Sequence, residues 1–385
     1  MSKFKSTLVV NRMIKIRLLN DEDLIPLSEF LPRGFPAVTQ KNWLVLFDYW
    51  WSKNPAYTHE IPRGWLLEKD NTIVGFLGNI PLHILVQGEV KLAVAANNWY
   101  LDPAIRGIYS VSMFNKFINQ KNISAFLFKA GKIRFNDFLS RYNFKEFKLP
   151  PFQKDYIYII DKKRINVYSV AFILFVNLIP GFPGVSELIR RFGLLIRSGI
   201  LQKPLGQGEN APDAMYTSSI CTSCDDSFLS LRRSLHHKGE LEIFYDTQTL
   251  NWLYFSKRVS SQRIVIQCRR SGDNSLAGYA VFDIPHAAPY SSKKLHLMDI
   301  CIENDNLQVF QSLISYATEL SKQYNIKLLI LWANSPIIET YLQSTIILQR
   351  SITHYRYIRI LNSDENSIGK DSCLKIYSSL IWPAA

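Results

Sequence analysis

The stretch NWYLDPAIRGIYSVSMFNKFINQKNISAFLFK, residues 98–129, holds the residue types best placed to do chemistry. It reads as a strand, a Pro-x-x-Arg-Gly turn, an amphipathic helix and a buried strand. The N–H groups at a helix start have no intrahelical partners, and the helix dipole adds partial positive charge there. Arg106 supplies a formal charge, and Gly107 lets the backbone come close to an anion. Such a turn suits a pyrophosphate. An ordinary strand-to-helix connection with a surface arginine has the same sequence, so the surrounding elements must decide.

Other candidates flank this turn. Asn97 and Asn98 stand in the middle of a strand, where amides cost stability unless paired; they either hold a polar substrate or mark a bulge. His83 lies in the preceding strand, and histidine is the commonest general base. With Glu68, Glu60 and Asp102 it forms the set of groups able to take a proton from an attacking amine. His83 is equally readable as a satisfied strand histidine. Asp102, just before Pro103, reads as a turn residue. Trp50 and Trp51 sit in the helical stretch before the second strand, as core or as part of a substrate pocket. With Trp43, Trp65 and Trp99 they leave room for an apolar substrate tunnel.

The elements that position these groups follow in a regular order. Residues 14–19 form a strand, and an acidic helix start follows with Asp21 as its expected cap. Residues 64–67, 73–86 and 90–101 read as three antiparallel strands joined by Asp-Asn and Gln-Gly turns. After the Arg106 helix come an apolar strand at 123–128, a short helix ending in SRYNF, and a strand at 155–160.

With this order and the Arg-Gly turn together, residues 14–160 resemble the GNAT superfamily of acyl-CoA-dependent N-acyltransferases. The resemblance implies that Arg106, Gly107, Ile108, Tyr109, Ser110 and Val111 surround the phosphates of coenzyme A, with acetyl-CoA or another acyl-CoA as cosubstrate. It also implies that the backbone around Ala95, Ala96, Asn97 and Asn98 supplies the oxyanion donor. Leu139 occupies the place of the tyrosine that often protonates the leaving thiolate in that family, and Tyr142 reads as a packing residue. His83, Glu68 and Asn98 are the catalytic candidates.

Residues 213–385 repeat the plan: strand, two helices, a three-strand meander, a helix at 307–324, then strand, helix and strand. A second GNAT-like fold is expected. Glu303 and Asp305 stand where pyrophosphate would bind and would repel it, so this copy is read as degenerate. The fold class is therefore mixed α and β: two GNAT-like domains, 1–160 and 213–385, each a mostly antiparallel sheet flanked by helices. A linker, 161–212, joins them.

Composition bounds the partners. A 385-residue chain, 47% hydrophobic, can build two sizeable cores. Its net charge of +13 divides as 21 basic against 13 acidic residues over 1–160 (+8), 7 against 3 over 161–210 (+4), and 17 against 16 over the rest (+1). The first half and the linker thus face something negative: coenzyme A, an acyl carrier protein, tRNA or an anionic membrane. The linker has an apolar run at 167–180, too short to span a bilayer, and an apolar stretch with Arg190, Arg191 and Arg197. It reads either as helices packed on the protein's own domains or as a basic hairpin, 165–201, on a membrane.

The five cysteines, Cys221, Cys224, Cys268, Cys301 and Cys373, are odd in number and scattered. They are expected as reduced thiols in a cytoplasmic chain, free or peripheral at the inner membrane face. Cys221-x-x-Cys224 has no second pair, and His236 and His237 are adjacent, so no metal is expected.

Two expectations result. One is an N-acyltransferase moving an acyl group from acyl-CoA, or acyl carrier protein, to an amine on an amino sugar, amino acid or other small molecule held between the domains. A variant takes an aminoacyl group from tRNA, as Fem-type transferases do, although the chain lacks their long helical arm. The other is a non-catalytic binding or scaffold protein of the same fold, associated with a membrane.

Overall fold

The computed structural model describes residues 14–86, 88–130, 136–147, 154–160, 205, 215–235, 241–256, 261–285, 294–333, 335–346, 349–351, 355–361 and 374–375. The expected linker helices and membrane hairpin of 161–212 lie outside them, Leu205 excepted, as do His236, His237 and Cys373.

β1 (Ile14–Leu18) leads into a 3-10 turn at Asp21–Asp23, then α1 (Leu24–Phe30) and α2 (Gln40–Phe47). The cap is not Asp21. The Asp23 carboxylate accepts from the Asn20 N–H at 2.9 Å, and Asp21 accepts instead from Arg63. α2 runs on into a π turn at Asp48–Ser52. That turn seats its aromatic residues on the sheet: Trp51 Nε1 donates to the Asn79 carbonyl at 2.9 Å, and Trp50 and Trp51 are 1% and 2% exposed. Their packing reading therefore holds.

β2 (Gly64–Lys69), β3 (Thr72–Val86) and β4 (Glu89–Leu101) form the antiparallel meander. Asp70 and Asn71 turn the first hairpin with φ of 50° and 61°, the left-handed region that short polar residues tolerate. α3 (Ile108–Ile118) then crosses to β5 (Ala125–Ala130), which lies parallel to β4. α4 (Asn136–Ser140) ends at Asn143, whose φ of 60° lets the Phe144 N–H reach back to the Leu139 carbonyl at 3.1 Å. β6 (Lys145–Phe147) follows.

The sheets then exchange strands. β7 (Lys154–Ile159) leaves the first half and pairs in the second sheet. In sequence, the second half contains β8 (Tyr216–Cys221), α5 (Asp226–Ser234), β9 (Leu241–Ile243), α6 (Thr247–Phe255), β10 (Ser261–Arg270), β11 (Leu276–Pro285) and β12 (Lys294–Ile302). It continues with α7 (Leu307–Gln323), β13 (Leu328–Leu331), α8 (Pro336–Thr345), β14 (Gln349–Ser351), β15 (Tyr355–Ile360) and β16 (Leu374–Lys375). β7 lies between β13 and β14, while β15 returns to the first sheet between β5 and β6. β9 adds to β3 and carries β16. A boundary at residue 160 therefore does not follow the sheets.

Exchange of strands goes with a shared interior. One core joins Trp43, Trp50 and Ile80 to Trp252, Leu253 and Ile358 across the two halves. The Tyr49 and Trp252 rings stack with centroids 5.0 Å apart, and Trp252 Nε1 donates to the Tyr49 carbonyl at 2.8 Å. A second core lies between α7 and the second sheet, and a third between α3 and the first sheet.

Candidate functional site

The ladder between β4 and β5 is short. Its register pairs Ala93 with Ala125, Val94 with Phe126 and Ala95 with Leu127, and then stops. β4 continues to Leu101 beyond that point. The strands part because β4 carries a bulge. Asn97 lies opposite Gly78 and Tyr100 opposite Phe76, so Asn98 and Trp99 share the single partner Leu77. Asn98 has a φ of 48°, which an asparagine tolerates. The two amides thus mark a bulge, one of the two outcomes open from sequence. The side-chain nitrogens of Asn97 and Asn98 are buried and have no hydrogen-bond partner among the described residues.

The turn after β4 completes the arrangement. Arg106 is exposed, donates from Nε to the Leu101 carbonyl at 3.0 Å, and lies 5.8 Å from the Tyr100 ring centroid. No carboxylate pairs with it among the described residues. Gly107 has φ 86° and ψ −116°, and a Cβ there would meet nothing within 4 Å. Glycine is needed for the backbone conformation, not for space. No side chain caps α3, so the amides of Ile108, Tyr109 and Ser110 lack the usual substitute partner. Tyr109 packs against the core beneath α3, while Ile108 is 74% exposed and Val111 37%.

An aromatic cluster supports this end of the sheet. Trp99 stacks on Phe114 at 5.6 Å, and Phe114 meets Phe138 and Tyr142 at 5.0 Å each. Leu139 is fully buried. Tyr142 is a packing residue, as its position in the sequence indicates.

Of the proton acceptors expected from sequence, Glu68 is engaged by cations and His83 stands away from the bulge. Glu68 is buried and bound by Lys15 at 2.8 Å and Arg17 at 2.6 Å. The hydrogen bond from Lys15, aided by Arg17, holds its carboxyl below the usual range and makes it a weak base. His83 is half-buried opposite Leu92. From Gly78 to His83 is five residues along β3, about 16 Å. His83 instead borders a small crevice with Asn54, Leu82 and Trp252. A larger open crevice nearby, ≈ 580 Å³, lies between the π turn and α6 and is lined by Lys53, Asn54, Gln248 and Phe255 among others. Asp102 sits 3.7 Å from Arg33 at the end of β4, and Glu60 is exposed in a turn. The Asn97 side chain was legible only as an oddity in a strand; its unpaired nitrogen needed the packed structure.

The second sheet has the same outline with its openings closed. β12 also bulges, with Val281 opposite Asp299 and Phe282 opposite Leu297, and it pairs with β13 only from Lys294 to His296. Trp332 Nε1 donates to the Leu297 carbonyl at 2.8 Å, across the point where those strands part. Asn306 caps α7 by accepting from the Gln308 and Val309 N–H groups, and Glu303 is paired with Arg270. Behind the bulge, Asp299 is bound by Arg232 and Tyr254 in the interior, and Arg232 also meets Tyr279. Burial pushes the Tyr254 and Tyr279 hydroxyls well above their usual pKa.

Burial likewise raises the Cys221 thiol to about 11 and Cys224 further, so neither is an activated nucleophile. No metal-ligating cluster occurs among the described residues. No helix among them is long and apolar enough to cross a membrane.

No protein-family model matches the sequence, and a search of curated proteins found no match. Solved structures do match. A conserved protein of unknown function from Enterococcus faecalis V583, described as a probable N-acyltransferase, superposes with a TM-score of 0.54 at 10% identity, over 90% of this chain and 72% of that one. A GCN5-related N-acetyltransferase from Anabaena variabilis gives 0.53 at 11% identity, over 91% and 73%. Saccharomyces cerevisiae N-myristoyltransferase with bound myristoyl-CoA gives 0.51 at 12% identity, over 91% and 79%. At these identities the likeness concerns the fold.

Proposed function

With two GNAT-like folds as the frame, we propose that this chain is an N-acyltransferase whose first sheet binds an acyl-CoA. One contrast carries the reading. The start of α3 has no side-chain cap, and Arg106 beside it meets no carboxylate among the described residues. The start of α7 is capped by Asn306 and flanked by acids. The first can accept phosphate on backbone N–H groups and a guanidinium; the second repels it. Arg106, Gly107, Ile108, Tyr109, Ser110 and Val111 would hold the phosphates, and the parted strands β4 and β5 would admit the thioester arm. The second domain would serve structure and acceptor binding.

In the reaction an amine nitrogen attacks the thioester carbonyl carbon. The carbonyl π pair moves onto oxygen, then returns as the C–S bond breaks. Nitrogen gives up one proton and the departing thiolate gains one, so no net proton is released. The chain's own contribution is positioning and charge stabilisation at the bulge. An amine on an amino sugar or amino acid is the acceptor class, with acyl carrier protein as a second donor source.

Calorimetric titration with coenzyme A tests the reading directly. Saturable binding to the wild-type protein that weakens about tenfold or more in Arg106→Ala supports it, since one charge-assisted contact is worth about 1.5–3 kcal/mol. No binding sinks it. The non-catalytic alternative draws on two observations: Glu68 is engaged by two cations, and His83 lies away from the bulge. Donor binding without acyl transfer to any of a broad amine panel would favour that alternative.

A further inference from the structure

The first sheet keeps buried hydrogen-bond donors that nothing among the described residues satisfies. Asn97 is 6% exposed, and its Nδ2 has no partner there; the Nδ2 of Asn98, next to it in the bulge, has none either. A buried donor without an acceptor destabilises the free protein, and native interiors pair such groups nearly always. Their place is specific. Both stand on β4 just past Ala95, where the pairing with β5 ends. Asn97 continues the face of Ala93 and Ala95, which pack in the core shared with Trp43 and Trp50. The indole nitrogens of those two tryptophans are also buried without a partner among the described residues. Four buried N–H donors in this part of the first sheet thus stand without an acceptor among the described residues. A hydroxyl or an amine would bring a donor of its own; a carbonyl oxygen brings acceptor lone pairs alone.

We infer that the Asn97 carboxamide donates a hydrogen bond to the carbonyl oxygen of the bound thioester, with Asn98 Nδ2 as a second donor at the same bulge. The inference rests on the acyl-CoA reading above and assigns it a side-chain donor in addition to the strand backbone. As the amine attacks, negative charge collects on that oxygen and the bond from Asn97 strengthens, which lowers the barrier. In the free protein the unsatisfied donor is a stability cost retained for the ligand.

Free coenzyme A has no thioester carbonyl, so comparing it with acetyl-CoA isolates the contact without knowledge of the amine. Calorimetry on the full-length wild-type protein should show acetyl-CoA bound about tenfold more tightly than coenzyme A, the worth of about one hydrogen bond. Asn97→Leu should bind coenzyme A as the wild type does, show no preference for acetyl-CoA, and melt no lower than the wild type. Asn97→Ala, which removes the donor without adding bulk or charge, should lose the same preference and covers the case in which the leucine variant does not fold. An intact preference in either folded variant overturns the inference, as does an equal loss of affinity for both ligands. Wild-type protein that binds coenzyme A without preferring acetyl-CoA overturns it while leaving the acyl-CoA site standing. Wild-type protein that binds neither ligand removes both.

Discussion

Ile358 lies directly opposite Leu127, in the register between β15 and β5, although one comes from the last part of the chain and the other from the first half. Leu127 is also the residue at which the pairing with β4 ends. The strand that walls one side of the candidate thioester opening is thus held in place from its far side by the second half of the chain.

Cutting the chain in the linker should therefore unfold both parts. Residues 1–212 alone would lack β15 and leave β5 and β6 without their shared partner; residues 213–385 alone would lack β7 between β13 and β14. Each fragment is expected to aggregate or show lost tertiary signal in near-ultraviolet circular dichroism, and co-expression should restore a soluble complex. A well-folded, monomeric first fragment would show that the exchange is dispensable.

At Gly107 the requirement is conformational. Its φ of 86° lies where a side chain is strained, although a Cβ would meet no neighbour. Gly107→Ala should cost about 1–2 kcal/mol in urea unfolding. It should also weaken coenzyme A binding by moving the α3 amides. A loss of stability with unchanged binding would detach the glycine from the site.

Glu68 belongs to a structural ion cluster with Lys15 and Arg17, and Arg17 also binds Asp23 at 2.6 Å. Hydrogen bonds from Lys15 and Arg17 respectively depress the Glu68 and Asp23 carboxyls in the folded protein. Groups depressed on folding contribute stability that is fully present above their unfolded pKa, about 4, and is lost as pH falls through the folded value. Glu68→Gln should cost about 2 kcal/mol at pH 7. That difference should shrink below about pH 4, where the wild-type carboxyl protonates as well. A gap between the two proteins' melting temperatures that stays constant down to about pH 3 would argue against the cluster.

Asp299 is fully buried and neutralises Arg232 behind the bulge of the second sheet. Asp299→Asn keeps the shape and leaves the guanidinium charge unpaired, at a cost of about 3–5 kcal/mol in chemical denaturation. Where the variant still folds, coenzyme A binding should equal that of the wild type, because the cluster belongs to the other sheet. Reduced donor affinity in a folded variant would mean that this sheet takes part in binding.

Some of this was legible along the chain because it depends on near neighbours. Alternating and helical apolar spacing gave the longer strands and the helices but not the short β6, β9, β14 and β16, and residue type gave the Asp70-Asn71 turn. The GNAT-like fold followed from the order of those elements, and the Arg106-Gly107 turn from residue type alone. Partner choice is different. Residues 154–159 and 355–360 look like ordinary last strands of their own halves, because a strand's sequence states its two faces and not its neighbours. Only the packed molecule exchanged them. Likewise, Glu68 reads as an available carboxylate until the fold brings Lys15 and Arg17 to it, and His83 reads as near the reaction until the ladder measures its distance from Asn97. The sequence by itself determined most of the elements and the Arg-Gly turn, which are local. Tertiary structure decided which strands pair, which charges cancel, and that the Asn97 donor is buried without a partner among the described residues, since each of these depends on residues far apart in the chain.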